Sequence, residues 1–411
     1  MKTVVACAYS KMHVNFYLRM RKAFLKEGYS LLILASQYSS YRYALNHGCP
    51  AKLSHVNGTV AMREAYHGLA NRLQNSMDIK LGLLSLSKAV KYYKSVYELL
   101  EQINEERKIS LVVAFQNART EEIAFHDFAA NHNIMKLFFE FSNMPGKIFC
   151  DREGSNKKSE LYLSKNKILD QFDCPTDAEY ESWKKDYLKI KFQQISIPQA
   201  KITFPRSFLE KLEDMAASLF ITHIPATNIN LKRAISVNLN KLHKNQDVLK
   251  WAVQIDTHEM KGQYIFFPLQ VSSDTQIIVN SDIGLIEALK RAVKLAAREN
   301  KKLVIKPHPA EFDKSAQETI LRLARENGCI ISVNNTFHLI EDAYKVITIN
   351  STVGLESMIL GTPVIVLADP FYKNFTFEQL KKYLLRYLVN IELFSVEEIP
   401  DVTELLKRAS V

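Results

Sequence analysis

The sequence predicts an α/β protein of two Rossmann-like lobes with a helical insertion between them. Short apolar runs alternate with amphipathic helical stretches at both ends of the chain, which is the pattern of a parallel sheet covered by helices. The middle lacks strand-like runs and keeps a helical period. The chain has 411 residues, enough for two domains with separate cores.

In the first lobe, residues 3–8 form a strand-like run. Residues 15–27 have helical periodicity, with Phe16, Met20 and Phe24 on one face and Gly28 at the end. Residues 30–35 are a second strand, 85–106 a tyrosine- and lysine-rich helix, 110–115 a strand, 121–131 a helix and 136–141 a strand. From 156 to 259 the chain is charged and helical, interrupted by Pro198, Pro205 and Pro225. In the second lobe, strands are expected at 264–267, 303–305, 329–333, 345–349 and 363–367. A helix over 282–300 turns Ile286, Leu289 and Val293 inward, and another runs to Asn327 before Gly328. The expected organisation is therefore 1–155, 156–259 and 260–375, with C-terminal helices over 376–411 that pack back on the first lobe. No short internal repeat is visible.

Composition narrows the function. Hydrophobic residues make up 47% and charged residues 24%, ordinary for a globular chain. The five cysteines are scattered without metal-ligand or disulfide spacing, which suits a reducing cytoplasm. The first residues lack the apolar core of a signal peptide, and no stretch reaches the roughly 20 apolar residues of a membrane span. A net charge of +10 suits an anionic partner, with lysines gathered in 184–191, 232–250 and 290–306. Aromatics are not interleaved with these lysines, so nucleic acid is not expected; two readings stay open, a solvated lysine face and peripheral contact with an anionic membrane face.

Ligands of open α/β sheets bind beyond the carboxyl ends of strands. Four segments there concentrate polar chemistry. Lys306-Pro307-His308-Pro309 stiffens a turn that presents two phosphate donors; as a bland alternative it is only a turn. Asn350, Ser351 and Thr352 open a helix, either as a simple N-cap or as an anion site, and Glu356 one turn on could accept ribose hydroxyls or remain a solvated charge. Gln270, Asp274 and Gln276 share a loop that offers an acidic group to a reacting sugar, or an Asx-turn. Around Pro145-Gly146, Glu140 stands among aromatics with Ser142, Asn143, Lys147 and Asp151 nearby.

The PLQxxxDTQ, KPHP and NSTVGLESMILGTPV stretches, with ExSxxPxKxxxDxxG from Glu140 to Gly154, resemble the bacterial capsule-polysaccharide biosynthesis family. The likeness spans roughly residues 138–369 and is strongest from Phe267 onward; the first lobe resembles the family in outline. That family includes retaining β-Kdo transferases of GT-B-like architecture that use CMP-β-Kdo. The resemblance implies Asp274 as nucleophile of a double displacement, His308 on the donor phosphate, Ser351 and Thr352 as the hydroxyl pair of the phosphate helix, and Glu356 at the ribose. It implies Glu140 as an active-site carboxylate, acid/base or acceptor-orienting. The family often has glycine two residues after that glutamate; this chain has Ser142.

The resulting expectation is a cytoplasmic enzyme with catalytic Asp274, Glu140 and His308. Gln270, Gln276, Lys306, His308, Asn350, Ser351, Thr352 and Glu356 bind the donor. No Asp-x-Asp pair marks a strand-end metal site, so no metal or cofactor is expected beyond the CMP-sugar substrate. The acceptor is a glycan or glycolipid of capsule or O-antigen synthesis. Three alternatives stay open: an inverting CMP-sialic-acid-type transferase, a non-catalytic polysaccharide- or lipid-surface binding protein, and, more distantly, a UDP-sugar epimerase.

Overall fold

The computed structural model describes residues 1–54, 67–192, 208–220, 246–272, 274–311 and 313–410. They form two compact units. The first holds Met1–Asp173, the helix Phe208–Phe220 and the tail from Tyr383; the second begins at Cys174 and ends at Lys382.

The first unit is built on six strands: β1 (Lys2–Ala8), β2 (Tyr29–Ala35), β3 (Ala51–Leu53), β4 (Ile109–Phe115), β5 (Met135–Phe141) and β6 (Ile148–Asp151). Their order is β3-β2-β1-β4-β5-β6, parallel except that β6 runs antiparallel to β5. The apolar runs read from the sequence are continuous because helices cover both faces. Val4, Ala6 and Ala8 of β1 join Phe16, Met20 and Phe24 on one face. Val5 and Cys7 join Val96, Leu100 and Phe128 on the other. The period of two along a strand divides one run between two cores.

The tail is part of the first core. Ile391, Leu393, Val402 and Leu405 are buried with the β1 face, and Val389 bridges Ile148. Arg19 fastens it: Nε donates to the Glu397 carbonyl at 2.5 Å, and Nη1 to the carbonyls of Glu392 at 2.7 Å and Leu393 at 3.1 Å.

The second unit is a wholly parallel sheet of β7 (Tyr264–Pro268), β8 (Lys302–Lys306), β9 (Ile330–Ile331), β10 (Lys345–Thr348) and β11 (Val364–Val366), in the order β11-β10-β7-β8-β9. Helices Leu285–Arg298 and Lys314–Glu326 pack on one side, where Leu285, Leu289, Ile320 and Ala324 share a core with Ile265, Phe267 and Ile305.

Several expectations need correction. Residues 156–259 are not one connector: the first unit continues to Asp173, and the helix Asp177–Phe192 belongs to the second. A helix buries its face against whichever sheet it meets, and composition does not name that sheet. Pro198, Pro205, Pro225 and most of the 232–250 lysines lie outside the described residues. The strand expected at 329–333 shortens to Ile330–Ile331, an edge strand with one neighbouring strand. Helix Lys11–Lys26 starts four residues early because Ser10 accepts from His13 N and bonds His13 Nδ1 at 2.8 Å. Burial lowers the pKa of that histidine to about 3, so it is a neutral core residue. Helix Tyr38–Asn46 and strands β3 and β6 have no counterpart in the sequence reading. No helix among the described residues is long and apolar enough to cross a membrane.

At the start of helix Thr120–Asn131, Glu121 and Glu122 are buried beside Asp78 and Arg119. Glu122 Oε2 accepts from the amides of Ala118 and Arg119, whereas Oε1 and both oxygens of Glu121 have no partner. Burial pushes Glu122 up to about 7 and raises Glu121 as well. A carboxyl with a raised folded pKa holds more protons folded than unfolded. Stability is then full below the unfolded value and declines as pH rises through the folded one. The melting temperature should fall from about pH 5 to about pH 8. Glu122→Gln should flatten that decline and gain about 3 kcal/mol at the upper end. Thermal melts across the range check it, and an unchanged slope in the variant refutes it.

Candidate functional site at the switch point of the second sheet

From β7 the chain steps to β8 and β9 on one side and to β10 and β11 on the other. The crevice is therefore between the ends of β7 and β10, where such sheets bind ligands. Three expected residues meet there. Gln270 Nε2 donates to Asn350 Oδ1 at 3.1 Å, and Asn350 N donates back to Gln270 Oε1 at 3.4 Å. Asn350 Nδ2 donates to the Gln276 carbonyl at 2.7 Å. Gln270 and Asn350 are each 8% exposed, so this amide bridge is an internal part of the crevice wall.

Asp274 caps the short helix Thr275–Ile278, with Oδ1 accepting from Gln276 N at 2.9 Å. The expected Asx-type turn is thus present, and its carboxylate is half-buried at the strand end. His308 follows β8. Its Nδ1 accepts from Ala310 N at 3.1 Å, which assigns the neutral ring's proton to Nε2. Desolvation of the ring lowers its pKa, while Asp274 and Glu311 act upward on it. Asp274 and His308 therefore share one electrostatic neighbourhood across adjacent strand ends.

Glu311 was not singled out in the sequence. It is 4% exposed, and its oxygens accept from Ser272 N at 2.6 Å and Asp313 N at 2.9 Å, strapping the loop after β7 to the loop after β8. Its acidic position just past a proline-stiffened turn was the available signal.

Lys306 is the last residue of β8. Its Nζ donates to the Asn334 carbonyl at 2.6 Å and Thr336 Oγ1 at 2.9 Å, beside helix Thr336–Glu341. These two bonds occupy two of its three N–H donors. Alternation along β8 sets its direction.

After β10, Ser351 Oγ accepts from Val353 N at 3.2 Å, and the Ser351 carbonyl accepts from Gly354 N at 3.0 Å and from the Tyr372 hydroxyl. The first amides of helix Val353–Leu360 are thus engaged locally. What remains toward an anion is chiefly the hydroxyl proton of Ser351 and the helix dipole. Thr352, the N-cap residue, is half-buried beside it and makes no side-chain cap bond.

Glu356 differs from expectation. It is 4% exposed and accepts from Lys191 Nζ at 3.2 Å and from the Tyr187 hydroxyl at 3.5 Å. Burial raises its pKa and Lys191 opposes that rise. It is an internal ion-paired group, with Lys191 and Tyr187 both on Oε1. The sequence placed Glu356 on the right helix, but the partners arrive from 165 or more positions away.

In the first unit, Glu140 is half-buried at the β5–β6 ribbon. Oε1 accepts from Phe141 N at 3.0 Å and Oε2 from Ser155 Oγ at 3.2 Å. The Ser142 hydroxyl donates to the Lys147 carbonyl at 2.6 Å and accepts from Met144 N, closing the turn. The left-handed conformation falls on Asn143, at φ 58°. Asp151 is structural: it accepts from the amides of Glu153, Gly154, Glu160 and Leu161 and from the Tyr387 hydroxyl. Gly154 is needed because a Cβ there would lie 3.0 Å from the Gln116 carbonyl oxygen and from Asn117 Cβ. Among the described residues, no group of three or more His, Cys, Asp or Glu side chains is arranged to hold a metal ion.

Residues 110–375 match the model of the capsule polysaccharide biosynthesis protein family. A stretch of 115 residues is 37% identical to Protein FixF of Sinorhizobium fredii, covering 26% of this chain and 27% of that protein. Among solved structures, the β-Kdo 2,7 transferase of Thermosulfurimonas dismutans KpsC is 13% identical, with a TM-score of 0.45 over 99% of this chain and 98% of that one. The β-Kdo 2,4 transferase of the same KpsC is 15% identical, with a TM-score of 0.41 over 74% and 87%. UDP-GlcNAc 2-epimerase from Neisseria meningitidis is 11% identical, with a TM-score of 0.32 over 100% and 99%.

The turn into helix Val353–Leu360 depends on the close approach of Tyr372 to Gly354. A Cβ at Gly354 would lie 2.6 Å from Tyr372 Cε2, a buried ring. Gly354→Ala should lower stability by about 1–3 kcal/mol, as overpacked sites do. Denaturant unfolding measures this, and an unchanged midpoint contradicts it.

Proposed function

Because the chain belongs to the capsule polysaccharide biosynthesis family, we propose that it is a retaining glycosyltransferase that moves Kdo from CMP-β-Kdo to a glycan or glycolipid acceptor. The observation that carries this reading is that Asp274, capping the helix after β7, and His308, after β8, stand at adjacent strand ends next to the β7/β10 crevice, near enough for the carboxylate to act upward on the imidazole.

In the first step an Asp274 oxygen bonds to the anomeric carbon. The bond from that carbon to the phosphate oxygen breaks, and CMP departs with the electron pair. In the second step an acceptor hydroxyl oxygen bonds to the same carbon, Asp274 leaves, and the hydroxyl proton passes to a base. Two inversions give net retention, as in retaining glycosidases. His308 Nε2–H, the Ser351 hydroxyl and the dipole of helix Val353–Leu360 answer the charge that develops on the departing phosphate. Thr352 joins them as the second hydroxyl. Gln270 and Asn350, with the Gln276 main-chain carbonyl, brace the crevice wall and place the carboxamides of Gln270, Gln276 and Asn350 along the donor. Glu140 is the proposed acceptor-side carboxylate of the first unit. No divalent ion is needed, because neutral donors and a dipole carry the phosphate charge.

Asp274→Asn should reduce transfer by at least about 10³-fold, a loss typical of a missing nucleophile, while CMP still raises the melting temperature. Turnover at the wild-type rate in that variant rejects the assignment. Thermal shifts with CMP, UMP, GDP and UDP should favour CMP, and EDTA should leave turnover unchanged. An inverted anomeric centre in the product, read by NMR, would instead support a single displacement of the CMP-sialic-acid type.

A further inference from the structure

Helix Leu285–Arg298 buries Leu285, Ala288, Leu289, Ala292 and Ala296 against the second sheet. Its solvent face carries Lys290, Lys294 and Arg298, all exposed and spaced by four, so they form one stripe about 12 Å long. Glu287 of the same helix is taken by Arg291 at 3.2 Å. Among the described residues no carboxylate pairs with the three cations of the stripe. A single-sign row costs self-repulsion, and an anionic surface relieves it.

The neighbouring helix Lys314–Glu326 lies in the same layer, since both helices are crossovers between successive parallel strands. Its exposed charges mostly cancel in i,i+4 pairs, Lys314 with Glu318 and Arg322 with Glu326. At its far side Arg325 stacks on Trp251 at 3.6 Å. Trp251 is 52% exposed and Leu249, two residues earlier, 47% exposed; Val248 anchors that segment in the shared core.

We propose that this face docks on an anionic phospholipid bilayer, with the lysine–arginine stripe against the phosphates and Trp251 and Leu249 in the headgroup region. The chemistry favours lipid over nucleic acid. A nucleic-acid track interleaves aromatics with cations so that bases can stack. Here the aromatic lies one helix away from the stripe and is accompanied by an exposed leucine, which an interfacial layer accommodates. The net charge of +10 adds long-range attraction of the same sign.

The test is sedimentation of this chain with phosphatidylcholine vesicles holding about one-third phosphatidylglycerol. Each basic residue near such a surface strengthens partition about fivefold, so K290E/K294E/R298E should bind at least about a hundredfold more weakly. Wild-type binding should be lost in about 1 M salt. Trp251→Ala should weaken binding about fivefold without changing the salt dependence. Circular dichroism and melting temperature confirm that each variant is folded, independently of donor binding. The inference is overturned if the wild type ignores these vesicles, if the folded triple variant binds them as the wild type does, or if a single-stranded oligonucleotide of about twenty nucleotides binds this face more tightly than the vesicles do.

Discussion

The amide bridge of Gln270, Asn350 and Gln276 at the ends of β7 and β10 is the constraint on which the second unit's site depends. A parallel sheet that reverses its strand order opens a gap between two strand ends, and the backbone there loses its ladder partners. Carboxamides both donate and accept, so two of them close the gap without burying a charge. With that wall in place, the loop after β7 has a defined exit and presents Asp274 as a helix cap. Glu311 then strings the loop after β8 to it, which brings His308 to the aspartate's side.

The buried acids of this chain reach satisfaction by different routes, and the contrast helps separate structure from chemistry. Asp151 collects four backbone amides and a tyrosine hydroxyl, fixing the loop that carries Ser155 to Glu140. Glu356 takes a lysine and a tyrosine. Glu121 and Glu122 have fewer donors than oxygens, so burial moves their protonation upward instead. Asp274 and Glu140, by comparison, stay half-buried at the carboxyl ends of strands, where a substrate can replace water.

Much of the fold was legible from the chain. The runs giving β1, β2, β4, β5, β7 and β8 were readable because both faces of a parallel strand are apolar. The periodic helices at Phe16, Met20 and Phe24, and at Leu289, were readable for the same reason of burial. Strands β3 and β6 escaped because three or four residues carry too little pattern. At the candidate site, the strand-end positions of Gln270, Asp274, His308 and Ser351 followed from motif and strand order alone. The direction of Lys306 and the occupation of Glu356 did not, since Asn334, Thr336, Tyr187 and Lys191 reach them only once the sheet and its helices assemble.

By itself, then, the amino-acid order determined the α/β class, the longer strands, the turns that end them and the family to which the motifs point. Local sterics and burial periodicity act over a few residues, and those are written directly in the chain. Only the tertiary structure decided which unit owns the middle and the tail, which carboxylates are neutralised internally, and that Tyr372 requires glycine at 354. Each of these rests on contact between groups distant in sequence, whose energy depends on geometry that no local pattern encodes.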